Sequence, residues 1–167
     1  KYFIGGLTAK LIGVIAFCLI YGLYYAGGDT VNYYLGSVTL VNLMTEDFAA
    51  FYSIVFENEL EQNWVAFNQE TGYPPHYMWK DSATFAVSRY STLFCLLGAK
   101  SFFVSSLLTA SFCYIGMWKL YRLFTANYPD TKKALAICIL FMPSLIFWGS
   151  GIMKDSYVLA AACWFSY

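Results

Sequence analysis

Tyr24-Tyr25-Ala26-Gly27-Gly28-Asp29-Thr30-Val31-Asn32-Tyr33-Tyr34 sets an aspartate at the mouth of an apolar span. Upstream, Tyr2 to Ala26 is 25 residues with one charge, Lys10. At about 1.5 Å rise per residue, a helix of that length crosses a hydrocarbon layer of roughly 30 Å. Gly27-Gly28 breaks the helix, so Asp29 falls at the level of the lipid headgroups, where phosphates are found, just before a new helical pattern.

The composition agrees with a membrane solvent. The chain is 59% hydrophobic, 21% aromatic and 12% charged, against roughly 45–50% apolar and 25% charged in soluble domains. A formal net charge of zero and the lack of any block of like charges argue against nucleic acid as a partner and for membrane lipids. Cys18, Cys95, Cys113, Cys138 and Cys163 all lie inside apolar segments without a C-x-x-C pair, so they read as small core residues rather than a zinc or disulfide framework. The first span is longer than the 7–15-residue core of a signal peptide, and no small-x-small cleavage site follows it. A lysine rather than a methionine at position 1, and an end at Tyr167 inside an apolar run too short to cross, read as the N-terminal fragment of a longer chain.

Beyond Asp29, Phe48, Phe51, Tyr52, Val55 and Phe56 recur at helical spacing, with Glu46 and Asp47 at the positive end, and predict a helix lying flat on the membrane. Glu57, Glu59 and Glu61 form a polar connection to Trp64 and Phe67, and Gln69 to His76 reads as an irregular loop because of Pro74-Pro75. Ala83 to Ala99 is 17 mostly apolar residues around Arg89. The next apolar run begins at Ser101, which leaves no room for a turn between two crossing helices, so 83–99 is expected to be a second interfacial helix. The second span follows over about 101–124, a third over 134–148 with a kink at Pro143, and a fourth over 157–167. Lys119 to Lys133 carries four bases and one acid, whereas Gly27 to Lys100 carries eight acids and three bases. The former is therefore cytoplasmic, and the loop 27–100 lies outside. The expected fold is all-α: one membrane domain over 1–167, a polytopic helical bundle whose external loop of interfacial amphipathic helices joins spans 1 and 2.

This topology brings Asp29, Lys154 and Asp155 to the outer face with His76, Lys80, Asp81, Arg89 and Lys100. A carboxylate there can take a proton from an attacking hydroxyl, and an arginine or lysine can hold a lipid phosphate. Each residue also has a plainer reading. Asp29 can cap the helix that starts at Thr30, Asp155 can answer a helix dipole, Arg89 can snorkel, and His76 can be a turn residue. No metal-ligand set is read from the spacing.

The order of these features resembles the GT-C glycosyltransferases, the superfamily of protein O-mannosyltransferases and lipid A aminoarabinose transferases. Asp29-Thr30-Val31-Asn32-Tyr33-Tyr34 is similar to the D-E-x-x-Y start of their first external loop, and Tyr73-Pro74-Pro75 resembles their proline pair. Leu97-Gly98-Ala99-Lys100-Ser101-Phe102-Phe103 resembles their L-F-G-x-S-x-F entry to the second span, and Leu120-Tyr121-Arg122-Leu123-Phe124 resembles its cytoplasmic end. Met142-Pro143-Ser144 with Gly151-Ile152-Met153-Lys154-Asp155 looks like their third span and second external loop.

The resemblance implies a bacterial-type inner-membrane enzyme that moves a sugar from a polyprenyl-phosphate donor to an acceptor on the extracytoplasmic face. It implies Asp29 as base, Asp155 as the second-loop acid, and Arg89, Lys100, Lys154 and His76 as substrate-binding groups. It also makes a divalent metal the candidate cofactor. The sequence departs from the pattern at Thr30, where the family often has a second acid, and after Phe103, where many members carry an arginine. The alternative is a non-catalytic structural or accessory subunit of a larger membrane assembly, with other membrane subunits as partners. A transporter ranks third, because no charge pair lies deep within two spans.

Overall fold

The computed structural model describes residues 1–25, 27–57 and 64–167. Ala26 and the acids Glu59 and Glu61 of the expected polar connection lie outside the described residues. Every regular element described is helical: α1 (Tyr2–Leu19), α2 (Asp29–Glu46), α3 (Phe48–Tyr52), α4 (Ser82–Leu97), α5 (Phe102–Asn127), α6 (Lys132–Leu140), α7 (Pro143–Trp148) and α8 (Lys154–Phe165). The chain divides into two compact units, one of Lys1–Ala26 with Ser106–Tyr167 and one of Gly27–Ser105.

The first unit contains α1, most of α5, and α6 to α8. α1 continues through a wider π-helical turn, Ile20–Tyr24, in which the Tyr25 amide donates to the Ile20 carbonyl at 2.9 Å. The helical span Tyr2–Tyr24 thus has 23 residues and α5 has 26. Among the described residues these are the two helices long and apolar enough to cross a membrane.

An unbroken third span over 134–148 is not formed. The segment divides into α6 and α7, and the physical cause is Pro143 at the first position of α7, which lacks an amide hydrogen and drives Met142 into extended backbone (φ −67°, ψ 120°). α8 is 12 residues long.

Glycines and small residues set how these helices approach. A Cβ on Gly13 would stand 2.6 Å from the Ile146 carbonyl oxygen, and one on Gly116 would stand 2.9 Å from that of Ala160. α1 runs with α6 and α7, because Gly6 meets Leu140 and Gly13 meets Ile146, and it runs against α5, because Phe3 packs on Trp118 at 5.1 Å. Tyr114, Met117, Tyr121, Ala136, Leu140 and Cys163 form the core at one end of this unit. Four of the five cysteines are buried as the sequence suggests, whereas Cys138 is exposed on α6.

Lys10, the one charge in the first span, is fully buried and donates from Nζ to the Leu145 carbonyl at 2.9 Å. An ammonium turned to lipid would be costly, so the side chain points into the unit and meets α7 at a backbone acceptor.

The second unit is organised by the packing of α2 on α4. Leu40, Val41, Leu43, Phe51, Ile54, Met78, Phe85 and Cys95 are buried in its core. The apolar row expected over Phe48 to Phe56 divides between environments, with Val55 half-buried. Of that row Phe51 enters the core, beside Ile54 from outside the row, while Phe48, Tyr52 and Phe56 remain exposed. Asp47 caps α3 by accepting from the Ala50 amide at 3.0 Å.

The connection from α4 to α5 corrects another expectation, because a turn does fit between them. Ala99 (φ 50°) and Lys100 (φ 59°) both take left-handed backbone. The Lys100 amide reaches back to the Cys95 carbonyl at 2.9 Å, closing the helix with a left-handed cap that ordinarily favours glycine.

Candidate functional site

In the second unit, small residues let α2 and α4 approach closely. The Ser37 hydroxyl donates to the carbonyls of Tyr33 and Ser88, each at 2.9 Å, and the Ser88 hydroxyl donates to the Tyr33 carbonyl at 3.0 Å. A Cβ on Gly36 would lie 2.6 Å from Ser88 Oγ and 3.1 Å from its Cβ. Gly36→Ala is therefore expected to destabilise this unit by about 1–3 kcal/mol through overpacking. The check is a melting curve of the purified protein, and an unchanged midpoint would show that the seam can open without loss.

Asp29 occupies the exposed first turn of α2 and does not cap the helix. The Gly28 carbonyl accepts from the amides of Val31 and Asn32, both at 3.1 Å, which makes Gly28 the N-cap. Its φ of 108° and ψ of 178° belong to a region open essentially to glycine alone. The capping alternative for Asp29 is thus replaced by a weaker favourable interaction with the helix dipole.

The 3₁₀ turn His76–Trp79 brings the Tyr77 hydroxyl within electrostatic reach of Asp29. The Tyr77 hydroxyl is held above its ordinary range by desolvation first, with the carboxylates of Asp29 and Asp81 adding to the rise, while a hydrogen bond with the Asn32 side chain works against it. Next to Asp29, Thr30 is fully buried and its hydroxyl has no partner among the described residues.

His76 does not face this group through a hydrogen bond. Its ring stands edge-on to Trp79 at 5.7 Å and to Trp64 at 6.4 Å, beside the stacked Trp64–Trp79 pair at 5.3 Å. It is part of an aromatic cluster that closes the loop. The loop is also pinned to α2, where the Asn42 side chain donates to the Thr71 carbonyl at 3.0 Å.

Lys100 has a structural partner as well. Its Nζ donates to Asn42 Oδ1 at 2.6 Å, and its carbonyl accepts from the Tyr34 hydroxyl at 2.5 Å, so the side chain ties the α4–α5 turn to α2.

Arg89 is placed differently from the other cations. It lines a cleft of about 560 Å³ walled by Met44, Phe51, Val55, Phe56, Tyr90, Thr92, Leu93 and Leu96. One guanidinium nitrogen donates to the Val55 carbonyl at a long 3.4 Å. Among the described residues Arg89 is the one charged group on the wall of a mostly apolar cleft, and the volume falls within the range of roughly 300–1,000 Å³ typical of ligand sites. Such a cleft suits a molecule with an apolar chain and a single anionic group.

Asp29 does not line the cleft. Met44, the α2 residue that does, lies about 22 Å further along the helix axis at 1.5 Å per residue. The backbone of α4 comes nearer, since Ser88 touches Tyr33 one turn after Asp29, but the Arg89 side chain reaches toward Val55.

Lys154 and Asp155 belong to the first unit and are exposed in the first turn of α8. Asp155 suits the positive end of that helix.

The sequence pattern did not reveal Met44, Tyr90, Leu93 and Leu96 as a wall. The usable signal was the apolar spacing of Tyr90, Leu93 and Leu97 on α4, a row that the structure leaves exposed while Phe85, Ser88 and Cys95 are buried. Among the described residues no three of His, Cys, Asp and Glu converge, and Thr30 stands beside Asp29 in place of a second acid.

The fold defines a class and no more: an all-helical protein with two helices able to cross a membrane. Compared with protein-family models, curated proteins and solved structures, the chain matches none significantly.

Proposed function

We propose that this protein is an integral membrane glycosyltransferase of the GT-C kind, which takes a sugar from a polyprenyl-phosphate donor on the outer face of a bacterial-type inner membrane. The observation that carries the reading is the Arg89 cleft. Its apolar wall suits isoprenoid units, and its one guanidinium suits the phosphate that joins them to the sugar. Asp29, free of any capping duty but off the cleft, is the base that receives the acceptor's proton, which requires the sugar to extend from the phosphate at Arg89 toward the start of α2. This second assignment draws on the resemblance of Asp29 to Tyr34 to the family's first external loop. Lys154 and Asp155 serve on the second outer loop of a four-pass bundle completed by α6–α7 and α8.

The outward placement of residues 27–100 rests on the charge asymmetry and has a direct test. In a Cys138→Ser background, which removes the exposed native thiol, a cysteine at Glu70 is expected to react with an impermeant reagent in intact cells, and one at Asp130 only after lysis. The reverse pattern would put Asp29 on the wrong side for a donor presented outside.

One observation favours a second reading. Asp29, His76 and Lys100 all lie off the cleft, and a lipid-phosphate-binding accessory subunit needs the cleft alone. Sugar transfer assayed in membranes with a panel of polyprenyl-phosphate donors separates the two. Transfer supports the enzyme, and lipid binding without transfer supports the subunit.

A further inference from the structure

Lys119 and Arg122 lie in the last part of α5 and Lys132 and Lys133 at the start of α6, with Asp130 as the one acid in the connection. Packing of Ala136 with Tyr121 and Met117 draws the two helices together there. Among the described residues, none of the four bases has a carboxylate within ion-pair distance. Like charges gathered toward one end without an internal counterion repel one another, and an anion from outside relieves that repulsion.

The surroundings narrow what that anion is. Lys119 Nζ lies 3.8 Å above the Trp164 ring and 4.6 Å from that of Tyr167, while Tyr128 is largely exposed. Aromatic rings beside cations, at the end of a helix apolar enough to cross a bilayer, form an interfacial belt rather than a surface for a soluble polyanion. We infer that this end of the unit binds the headgroups of anionic glycerophospholipids, such as phosphatidylglycerol. The inference rests on the membrane-spanning reading of the two long helices, and it needs neither sugar transfer nor the cleft.

The test uses the whole chain in nanodiscs of phosphatidylcholine with or without phosphatidylglycerol, and reads by native mass spectrometry which lipids stay bound. Phosphatidylglycerol is expected to be retained several-fold above its bulk fraction, and 0.5 M salt should reduce that preference. Each neutralised charge should weaken binding about fivefold, so Lys132→Gln with Lys133→Gln should bring retention close to the bulk ratio.

Three results would overturn the inference: equal retention of both lipids by the wild type, a preference that survives the double substitution, or displacement of the lipid by millimolar glycerol phosphate, which would make the ligand a soluble phosphate. A folded chain that does not enter nanodiscs would overturn the membrane reading itself and this site with it. Loss of lipid preference with sugar transfer unchanged would leave the proposed function standing.

Discussion

Asp29→Asn is expected to reduce sugar transfer by about 10²–10⁴-fold, the usual worth of a positioned general base, while the protein keeps its melting temperature. Asparagine preserves the size of the side chain and removes the proton acceptor. The structural cost is small because Gly28 caps α2 and Asp29 makes no side-chain hydrogen bond among the described residues. What either Asp29→Asn or Asp29→Ala gives up in stability is the dipole interaction, about 0.3–1 kcal/mol at an exposed helix start. Both variants should therefore lose transfer and barely lose stability. A capping aspartate would behave in the opposite way, with asparagine silent and alanine costing roughly 0.5–2 kcal/mol. Since Asp29 lies off the cleft, the affinity for the polyprenyl phosphate should not change and the loss should fall on kcat. Full transfer by the asparagine variant would remove Asp29 from the chemistry.

Arg89→Gln should act on the other kinetic term. A hydrogen bond to a charged group contributes about 1.5–3 kcal/mol, so loss of the guanidinium is expected to raise the dissociation constant for a polyprenyl phosphate by about 10–150-fold. Folding should tolerate the change, since the one bond that Arg89 makes to Val55 is long at 3.4 Å. Arg89→Lys should recover part of the affinity, because an ammonium keeps the charge without the planar fork. Lys100→Gln is the informative companion. The two cations look alike in sequence, yet Lys100 is engaged with Asn42 and lies off the cleft, so its loss should hardly affect lipid binding and should instead loosen the α4–α5 turn. Equal losses of affinity in both variants would mean that the phosphate sits elsewhere.

The contrast between Arg89 and Lys100 also marks how far the sequence could be read. Helix existence followed from apolar length and glycine or proline punctuation, and the first two long helices appear close to where hydropathy puts them. Pro143 announced the interruption of the third apolar run, but its outcome, two short helices with extended backbone at Met142, depends on packing that no local pattern carries. The turn at Ala99 and Lys100 was hidden for a related reason. Left-handed backbone is expected at glycine, and here two residues with side chains adopt it, one of them with its carbonyl held by Tyr34 and its ammonium by Asn42.

The candidate site was less legible than the helices. Asp29, Arg89 and Lys100 could be singled out as charges in apolar company. Which of them shares a cleft follows from the way Ser37 and Ser88 seat α2 on α4, and from Phe51 turning inward while Phe56 stays at the rim. Small residues in a seam give a weak sequence signal because their role is to let backbones approach.

The central claim is that the Arg89 cleft holds the chain and phosphate of an isoprenoid lipid. Photolabelling tests it most directly, with a polyprenyl phosphate carrying a diazirine near its first isoprene unit, applied to the full chain in membranes and mapped by peptide mass spectrometry. The account predicts adducts on Phe56, Tyr90, Leu93 or Leu96 that are prevented by unlabelled polyprenyl phosphate, spared by the uncharged polyprenol, and greatly reduced in Arg89→Gln. Equal protection by the alcohol and the phosphate, or labelling confined to residues away from α3 and α4, would contradict it.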